Sequence, residues 1–253
     1  MNNVVDVYSL VVGNKEDGLF KKGNVVIQGG TNGGKSVFIK KLAIALMREH
    51  TAEQLKLALV DLKGLEFFDF QYLPYLYCNT VDEEEEVEGL LQKLAKETEA
   101  RDGLFATNGV ENYQQYLALC EEKGLEKPPR IVCIIDELDE LCSRQEVKSL
   151  LMRLLAGGNR YGVNAIVSAQ SCEKDLWERS ANDTALQRII FYTYYGDEQF
   201  YGDLFGAKID EIPQASGEFL YQDSSTTKPV LYAVEKTSQK DIIAAIHAIR
   251  VQK

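Results

Sequence analysis

Gly29-Gly30-Thr31-Asn32-Gly33-Gly34-Lys35-Ser36 fits the pattern G-x-x-x-x-G-K-[ST], in which a glycine-rich loop cradles phosphates. The flanking sequence has the required form, because an apolar run, 24–28, precedes the loop and a helical pattern from about 35 to 50 follows it. The glycines allow the backbone to curl so that successive N–H groups point at phosphate oxygens. The start of the helix adds the positive end of its dipole. The segment therefore predicts a site for a nucleoside triphosphate.

Apolar runs alternate with amphipathic helical patterns along the chain, which is typical of α/β folds with a largely parallel central sheet flanked by helices. We find no internal repeat and no linker, so residues 1–253 are expected to form one domain. Strands are predicted at about 24–28, 57–61, 131–135, 163–168, 188–194, 217–222 and 230–234. Helices are predicted at about 35–50, 83–105, 113–123, 147–155 and 239–251.

Two acidic residues, Asp136 and Glu137, follow the most apolar predicted strand, about 100 residues after the glycine-rich loop. Ligands bind at the carboxyl ends of strands in open α/β sheets, which is where this pair should lie. We expect ATP and Mg²⁺ as ligands, with Lys35 on the β- and γ-phosphates and Ser36 on the metal. Asp136 is expected to hold the metal through water, and Glu137 to activate the attacking water as general base. A glutamate beside the metal-binding aspartate indicates an ATP hydrolase rather than a small-molecule kinase.

The bulk composition limits the classes of protein to consider. The net charge of −11 argues against a broad nucleic-acid-binding face, although it permits a small local basic patch. The acidic run 82–88 is expected to be the exposed start of a helix, where carboxylates oppose the positive end of the dipole. Five cysteines without a CxxC pair, and only two histidines, argue against a Cys/His metal site and favour a cytoplasmic protein with reduced thiols.

Taken together, the motifs resemble the FtsK/SpoIIIE motor ATPases, with the coupling ATPases of conjugation as close relatives. The likeness runs from about 12 to 234, and its motifs occur in the family's order. Besides the glycine-rich loop they are residues 60–67, Ile135-Asp136-Glu137-Leu138, residues 156–163 leading to Ser168-Ala169-Gln170, and residues 217–221 with Lys228-Pro229-Val230. Two of these segments depart from the family, since Leu62 stands in place of proline and Ser171-Cys172 in place of Arg-Pro.

The resemblance implies a RecA-like P-loop NTPase core with a C-terminal β-hairpin and helix. It also implies a homo-hexameric ring with nucleotide at the subunit interfaces. By position, Gln170 is the counterpart of the family's polar sensor of the γ-phosphate, or an amide satisfied at a strand end. Arg160 and Arg188 are two candidates for an arginine that reaches the neighbour's γ-phosphate. Asp61 and Lys63 resemble family residues beside the site, and an ordinary ion pair there is the alternative to a catalytic role.

Double-stranded DNA is the cargo that the resemblance implies, moved through the pore in conjugation, mobile-element transfer or chromosome segregation. Lys174 and Arg179 lie where the family places a pore-facing loop, and Trp177 lies between them. The main alternative is protein export, because related ATPases of type VII secretion take a polypeptide, which suits an acidic domain. A non-hydrolysing scaffold is a third class, against which the intact Lys35 and Glu137 argue. Contact with a membrane is expected only through a missing domain or a partner.

Overall fold

The computed structural model describes residues 3–13, 20, 22–141, 143–170 and 186–251. Its centre is one eight-stranded sheet with the order β1-β8-β7-β6-β2-β5-β4-β3. All strands run parallel except β7, which is antiparallel to both of its neighbours. The strands are β1 (Asn3–Val5), β2 (Asn24–Gln28), β3 (Leu55–Asp61), β4 (Arg130–Asp136), β5 (Val163–Ala169), β6 (Leu186–Phe191), β7 (Glu218–Gln222) and β8 (Val230–Val234).

Helices cover both faces of this sheet. One apolar layer packs helices α1, α2 and α7 against the sheet, and the other packs α3, α5 and α6 against the opposite face. The helices are α1 (Val7–Val11), α2 (Lys35–Glu49), α3 (Glu84–Thr107), α4 (Tyr113–Lys123), α5 (Gln145–Gly157), α6 (Glu198–Phe205) and α7 (Gln239–Val251). Within the described ranges, no helix combines the length and apolar character that crossing a membrane requires.

The central strands were predictable because the sheet buries them on both faces. Every residue of β2, β4, β5 and β6 is buried, and such strands appear in the sequence as continuous apolar runs. The predicted largely parallel α/β sheet is confirmed, and so is the terminal hairpin of β7 and β8. The acidic run also lies where it was expected, with exposed glutamates in the first turn of α3.

Three short elements were not predicted, namely β1, α1 and α6. They contain three, five and eight residues, which is too little sequence for a period to emerge. A further difference concerns β6, predicted over 188–194, which begins at Leu186 and ends at Phe191. Residues 192–196 instead leave the sheet in a turn, and this turn passes beside the glycine-rich loop.

Asn24, at the start of β2, fixes α5 to the sheet. Its buried amide donates to the carbonyl oxygens of Leu154 (3.1 Å) and Leu155 (2.6 Å), both in the last turns of α5. Its Oδ1 accepts from the backbone N–H of Ala165 at 2.9 Å and from the side chain of Asn164 at 3.2 Å. One side chain thus satisfies polar groups of a helix end and of a neighbouring strand, which burial would otherwise leave unpaired.

We expect Asn24→Ala to lower the free energy of unfolding by about 2–4 kcal/mol, because buried polar groups lose their partner. Urea unfolding followed by circular dichroism measures the change. Asn79→Ala, at an exposed asparagine, is the control and should change stability by less than about 0.5 kcal/mol. Equal stability of the two variants would show that the contacts of Asn24 do not hold α5.

Candidate nucleotide-binding site

The glycine-rich loop connects β2 to α2 at the carboxyl edge of the sheet, and segments that follow β6 and precede β7 leave no room for a side chain at three of its glycines. A Cβ on Gly33 would lie 2.6 Å from the carbonyl oxygen of Tyr192, and one on Gly30 would lie 2.9 Å from Oγ1 of Thr193. Gly34 has φ of +111° and faces the backbone of Gly217, 3.1 Å from where its Cβ would stand. Glycine is therefore required here by backbone conformation and by close approach.

The start of β7 holds the loop in place. The N–H of Gly217 donates to the carbonyl oxygen of Gly33 at 2.9 Å. Because of this hydrogen bond, the carbonyl oxygen of Gly33 points towards the start of β7. The curved backbone of the rest of the loop forms a cradle of the kind that binds phosphate. The helix α2 begins directly after it, at Lys35, and contributes the positive end of its dipole.

Lys35 is buried inside this cradle. Its Nζ donates to the carbonyl oxygens of Gly29 at 2.6 Å and Gly30 at 3.2 Å. Burial lowers the pKa of this ammonium, while the nearby carboxylates of Asp136 and Glu137 oppose that shift. An ammonium group that burial has stripped of water is stabilised by contact with an anion, and a triphosphate is such an anion.

Asp136 is the last residue of β4, and two hydroxyl groups lie beside its carboxylate. Ser168, on the adjacent strand β5, donates to Oδ1, and Oγ of Ser36 lies 3.4 Å from Oδ2. Burial raises the pKa of Asp136, and the Ser168 hydrogen bond counteracts this rise. The carboxylate of Asp136 and the hydroxyl of Ser36 are hard oxygen donors, and Mg²⁺ prefers such ligands. The residues present therefore fit a magnesium ion bound with the nucleotide.

Glu137 lies where the chain turns out of β4, and two residues hold its carboxylate. Nε2 of Gln170 donates to Oε1 at 3.1 Å, and Lys63 forms an ion pair with Oε2. Gln170 also receives a 3.5 Å hydrogen bond on Oε1 from the hydroxyl of Thr31. Its backbone N–H donates to Asp139 at 2.7 Å. Gln170 thus connects the glycine-rich loop to the acidic pair, which the sequence alone did not show.

Asp61 and Lys63 do not pair with each other. Asp61 accepts the backbone N–H groups of Glu66 and Phe67, at 2.6 and 2.9 Å, and so closes the turn after β3. Lys63 instead reaches the carboxylate of Glu137, because β3 pairs with β4 and their carboxyl ends lie side by side. Lys63 thus forms an ion pair, as one of the two alternatives expected, and its partner is the candidate base Glu137.

The two candidate arginines lie in different environments. Arg188 is buried in β6, where its guanidinium lies over the ring of Phe205 and donates to Gln222. In this conformation only a small part of its side chain is exposed. Arg160 is exposed before β5, at the opposite edge of the sheet from the loop, and donates to the carbonyl of Glu111 at 2.7 Å. Of the two, only Arg160 is accessible to a neighbouring molecule. Lys174, Trp177 and Arg179 lie outside the described residues.

Sequence comparison identifies relatives of the chain. A model of the FtsK/SpoIIIE family matches residues 7–175. The DNA translocase FtsK of Clostridium tetani is 28% identical over 236 residues, which cover 92% of this chain and 31% of that protein. The chain therefore spans about a third of the length of this relative.

Solved structures share the fold. The cytoplasmic domain of the type VII secretion ATPase EccC of Thermomonospora curvata superposes with a TM-score of 0.75 at 21% identity, covering 94% of this chain and 29% of that one. The pCW3 conjugation coupling protein TcpA with ATPγS gives a TM-score of 0.74 at 20% identity, covering 91% of this chain and 66% of TcpA. At these identities the likeness concerns the fold.

We expect Lys35→Ala to weaken ATP binding by at least about tenfold, because one charge-assisted contact to phosphate is worth about 1.5–3 kcal/mol. Isothermal titration calorimetry measures the affinity directly. Lys41→Ala, on the same helix but outside the loop, is the control and should bind ATP like the parent chain. Equal affinities for Lys35→Ala and the control would refute the assignment of the phosphate cradle.

Proposed function

The chain belongs to the FtsK/SpoIIIE family and carries an ATPase domain of that family, and from this premise we propose that it uses ATP hydrolysis to move double-stranded DNA. The observation that carries the proposal is the convergence of four polar side chains on the glycine-rich loop. Lys35, Ser36, Asp136 and Glu137 lie at one edge of the sheet, and they comprise the cation, the hydroxyl and the two carboxylates that phosphoryl transfer to water needs.

In the proposed mechanism the loop N–H groups and Lys35 bind the phosphates, while Ser36 and Asp136 hold Mg²⁺. The metal, when bound, neutralises negative charge on the transferring phosphoryl group. Glu137 orients a water molecule and accepts its proton. Gln170 and Lys63, which contact Glu137, position its carboxylate. Ser168 positions Asp136 by donating to Oδ1.

We further propose that the motor assembles as a ring of identical chains, with the nucleotide at the interface. Arg160 is the more suitable of the two candidates to contact a neighbour's γ-phosphate, because it is exposed while Arg188 is buried. DNA as the cargo rests on family membership and on Lys174 and Arg179, which supply basic groups in an otherwise acidic chain. The process served is conjugative or mobile-element transfer or chromosome segregation.

Export of a polypeptide is the second candidate function, and the charge of the chain favours it. With a net charge of −11, the chain repels the phosphates of DNA over long distances, so only basic groups concentrated in a channel could bind it. A polypeptide cargo that is neutral or basic meets no such repulsion.

We expect Glu137→Gln to bind ATP as tightly as the parent chain but to hydrolyse it about a hundredfold or more slowly, because general-base catalysis is typically worth 10²–10⁴. Steady-state phosphate release measures turnover, and calorimetry measures binding. Glu85→Gln, at an exposed residue of α3, removes the same charge and should leave both unchanged. Parental turnover by Glu137→Gln would exclude Glu137 as the base.

The cargo is tested with paired charge reversals. We expect Lys174→Glu combined with Arg179→Glu to abolish stimulation of ATP hydrolysis by duplex DNA, while basal turnover and ATP affinity persist. The control, Lys123→Glu combined with Lys127→Glu, changes the net charge equally and should retain stimulation. Fluorescence anisotropy with labelled duplex across a salt series should show binding that weakens steeply as salt rises, because phosphate contacts release counterions.

The same experiment separates the two cargoes. If neither ATP turnover nor anisotropy responds to duplex DNA at low salt with ATP present, DNA is excluded as the cargo. Stimulation by an unfolded polypeptide under those conditions would then support export. Equal loss in the test and control variants would show that net charge alone, rather than Lys174 and Arg179, governs DNA binding.

A further inference from the structure

Two adjacent tyrosines are exposed where β6 leaves the sheet. Tyr194 is 80% exposed and Tyr195 is 87% exposed, and their rings pack edge to face with centroids 5.1 Å apart. Aromatic side chains contribute large apolar surfaces, and two neighbouring ones left in water indicate a contact surface rather than a packing role.

The turn that carries the tyrosines is firmly anchored. The N–H of Gly196 donates to the carbonyl oxygen of Thr193 at 3.0 Å, which closes the turn. The hydroxyl of the fully buried Tyr201 accepts from the N–H of Thr193 at 3.2 Å. The ring of Tyr201 also lies so close to Gly196 that a Cβ there would be 2.8 Å away. The two exposed rings are therefore presented by a fixed backbone.

The turn lies directly beside the glycine-rich loop. The Cα of Thr193 is 3.4 Å from where a Cβ on Gly30 would stand. Consecutive Cα atoms are about 3.8 Å apart, so the Cα of Tyr194 lies within about 7 Å of that point. Side chains as long as tyrosine can reach over the loop from there.

The order of the strands indicates the direction in which a nucleotide would lie across the site. Strand β2, which carries the loop, lies between β5 and β6. Asp136, Glu137 and Gln170, which serve the γ-phosphate and the metal, follow β4 and β5 on one side of β2. The turn that carries Tyr194 and Tyr195 follows β6, which lies on the other side of β2. When the γ-phosphate points towards Glu137, the nucleoside at the far end of the triphosphate extends towards β6.

We propose that Tyr194 and Tyr195 form the subsite for the purine base of the nucleotide whose phosphates bind the glycine-rich loop. The base stacks on the face of one ring and meets the other ring at its edge, the two arrangements that aromatic quadrupoles favour. Stacking of this kind accepts any purine, because each has a π-face. The subsite rests on the proposed nucleotide function and adds the residues that recognise the base.

The test compares ATP with inorganic tripolyphosphate, which has the phosphates but no base. Calorimetry in the presence of magnesium gives the affinity of each ligand for the parent chain, Tyr194→Ala, Tyr195→Ala and the double alanine variant. Tyr194→Phe and Tyr195→Phe keep the rings. Tyr72→Ala is the matched control, because Tyr72 is 90% exposed and lies in the segment between β3 and α3, and β3 is three strands away from β2.

We expect the double alanine variant to lose ATP affinity by roughly 5- to 150-fold, the range for removal of aromatic stacking on a base. Its affinity for tripolyphosphate should equal that of the parent chain. The phenylalanine variants and Tyr72→Ala should bind ATP normally. Melting temperatures show that the variants are folded.

Two results would overturn the proposal. Parental ATP affinity in the double variant would show that the tyrosines do not touch the base, and weaker self-association of that variant in analytical ultracentrifugation would then assign them to a subunit interface. Equal loss for both ligands would show damage to the loop itself. If the parent chain bound neither ligand, the phosphate cradle itself would be wrong, and the subsite with it, a result distinct from the other two.

Discussion

The whole site depends on the close contact of two backbones, the glycine-rich loop and the segment that leaves β6. Gly30 and Gly33 approach Thr193 and Tyr192 so closely that a methyl group on either glycine would clash. The hydrogen bond from Gly217 to Gly33 adds the start of β7 to this contact. These contacts fix the glycine-rich loop on one side, and the other candidate site residues lie around it.

Parallel strands then bring the remaining groups to the loop. Because β2, β3, β4 and β5 all end at the same edge, their last residues meet there although they are far apart in sequence. The cost is the burial of charge, which lowers the pKa of Lys35 and raises that of Asp136. Each group offsets part of the other's desolvation. A bound triphosphate with its metal supplies further charges of both signs to the same space.

The sequence predicted the centre of the fold well and its margins poorly, for a physical reason. Strands such as β4 are buried on both faces, so their apolar runs are unmistakable, and the acidic pair after β4 was placed correctly beside the loop. The ion pair of Lys63 with Glu137 was not predicted, because it depends on β3 lying next to β4. No local sequence pattern reveals the order of the strands in a sheet. The approach of Thr193 to Gly30 is likewise a tertiary contact.

The contacts of Glu137 differ in strength, and this difference bears on the mechanism that we propose. The side chain of Lys63 is 45% exposed, so its ion pair with Glu137 is screened by water and contributes on the order of 0–1 kcal/mol. Glu137 can therefore exchange Lys63 for a water molecule at little cost. Gln170 is also fixed by Asp139 through its backbone and contacts Thr31 in the loop. In the proposed mechanism, the contact with Lys63 that is easily exchanged leaves the carboxylate of Glu137 free to accept a proton, while the contact with Gln170 keeps it directed at the phosphate cradle.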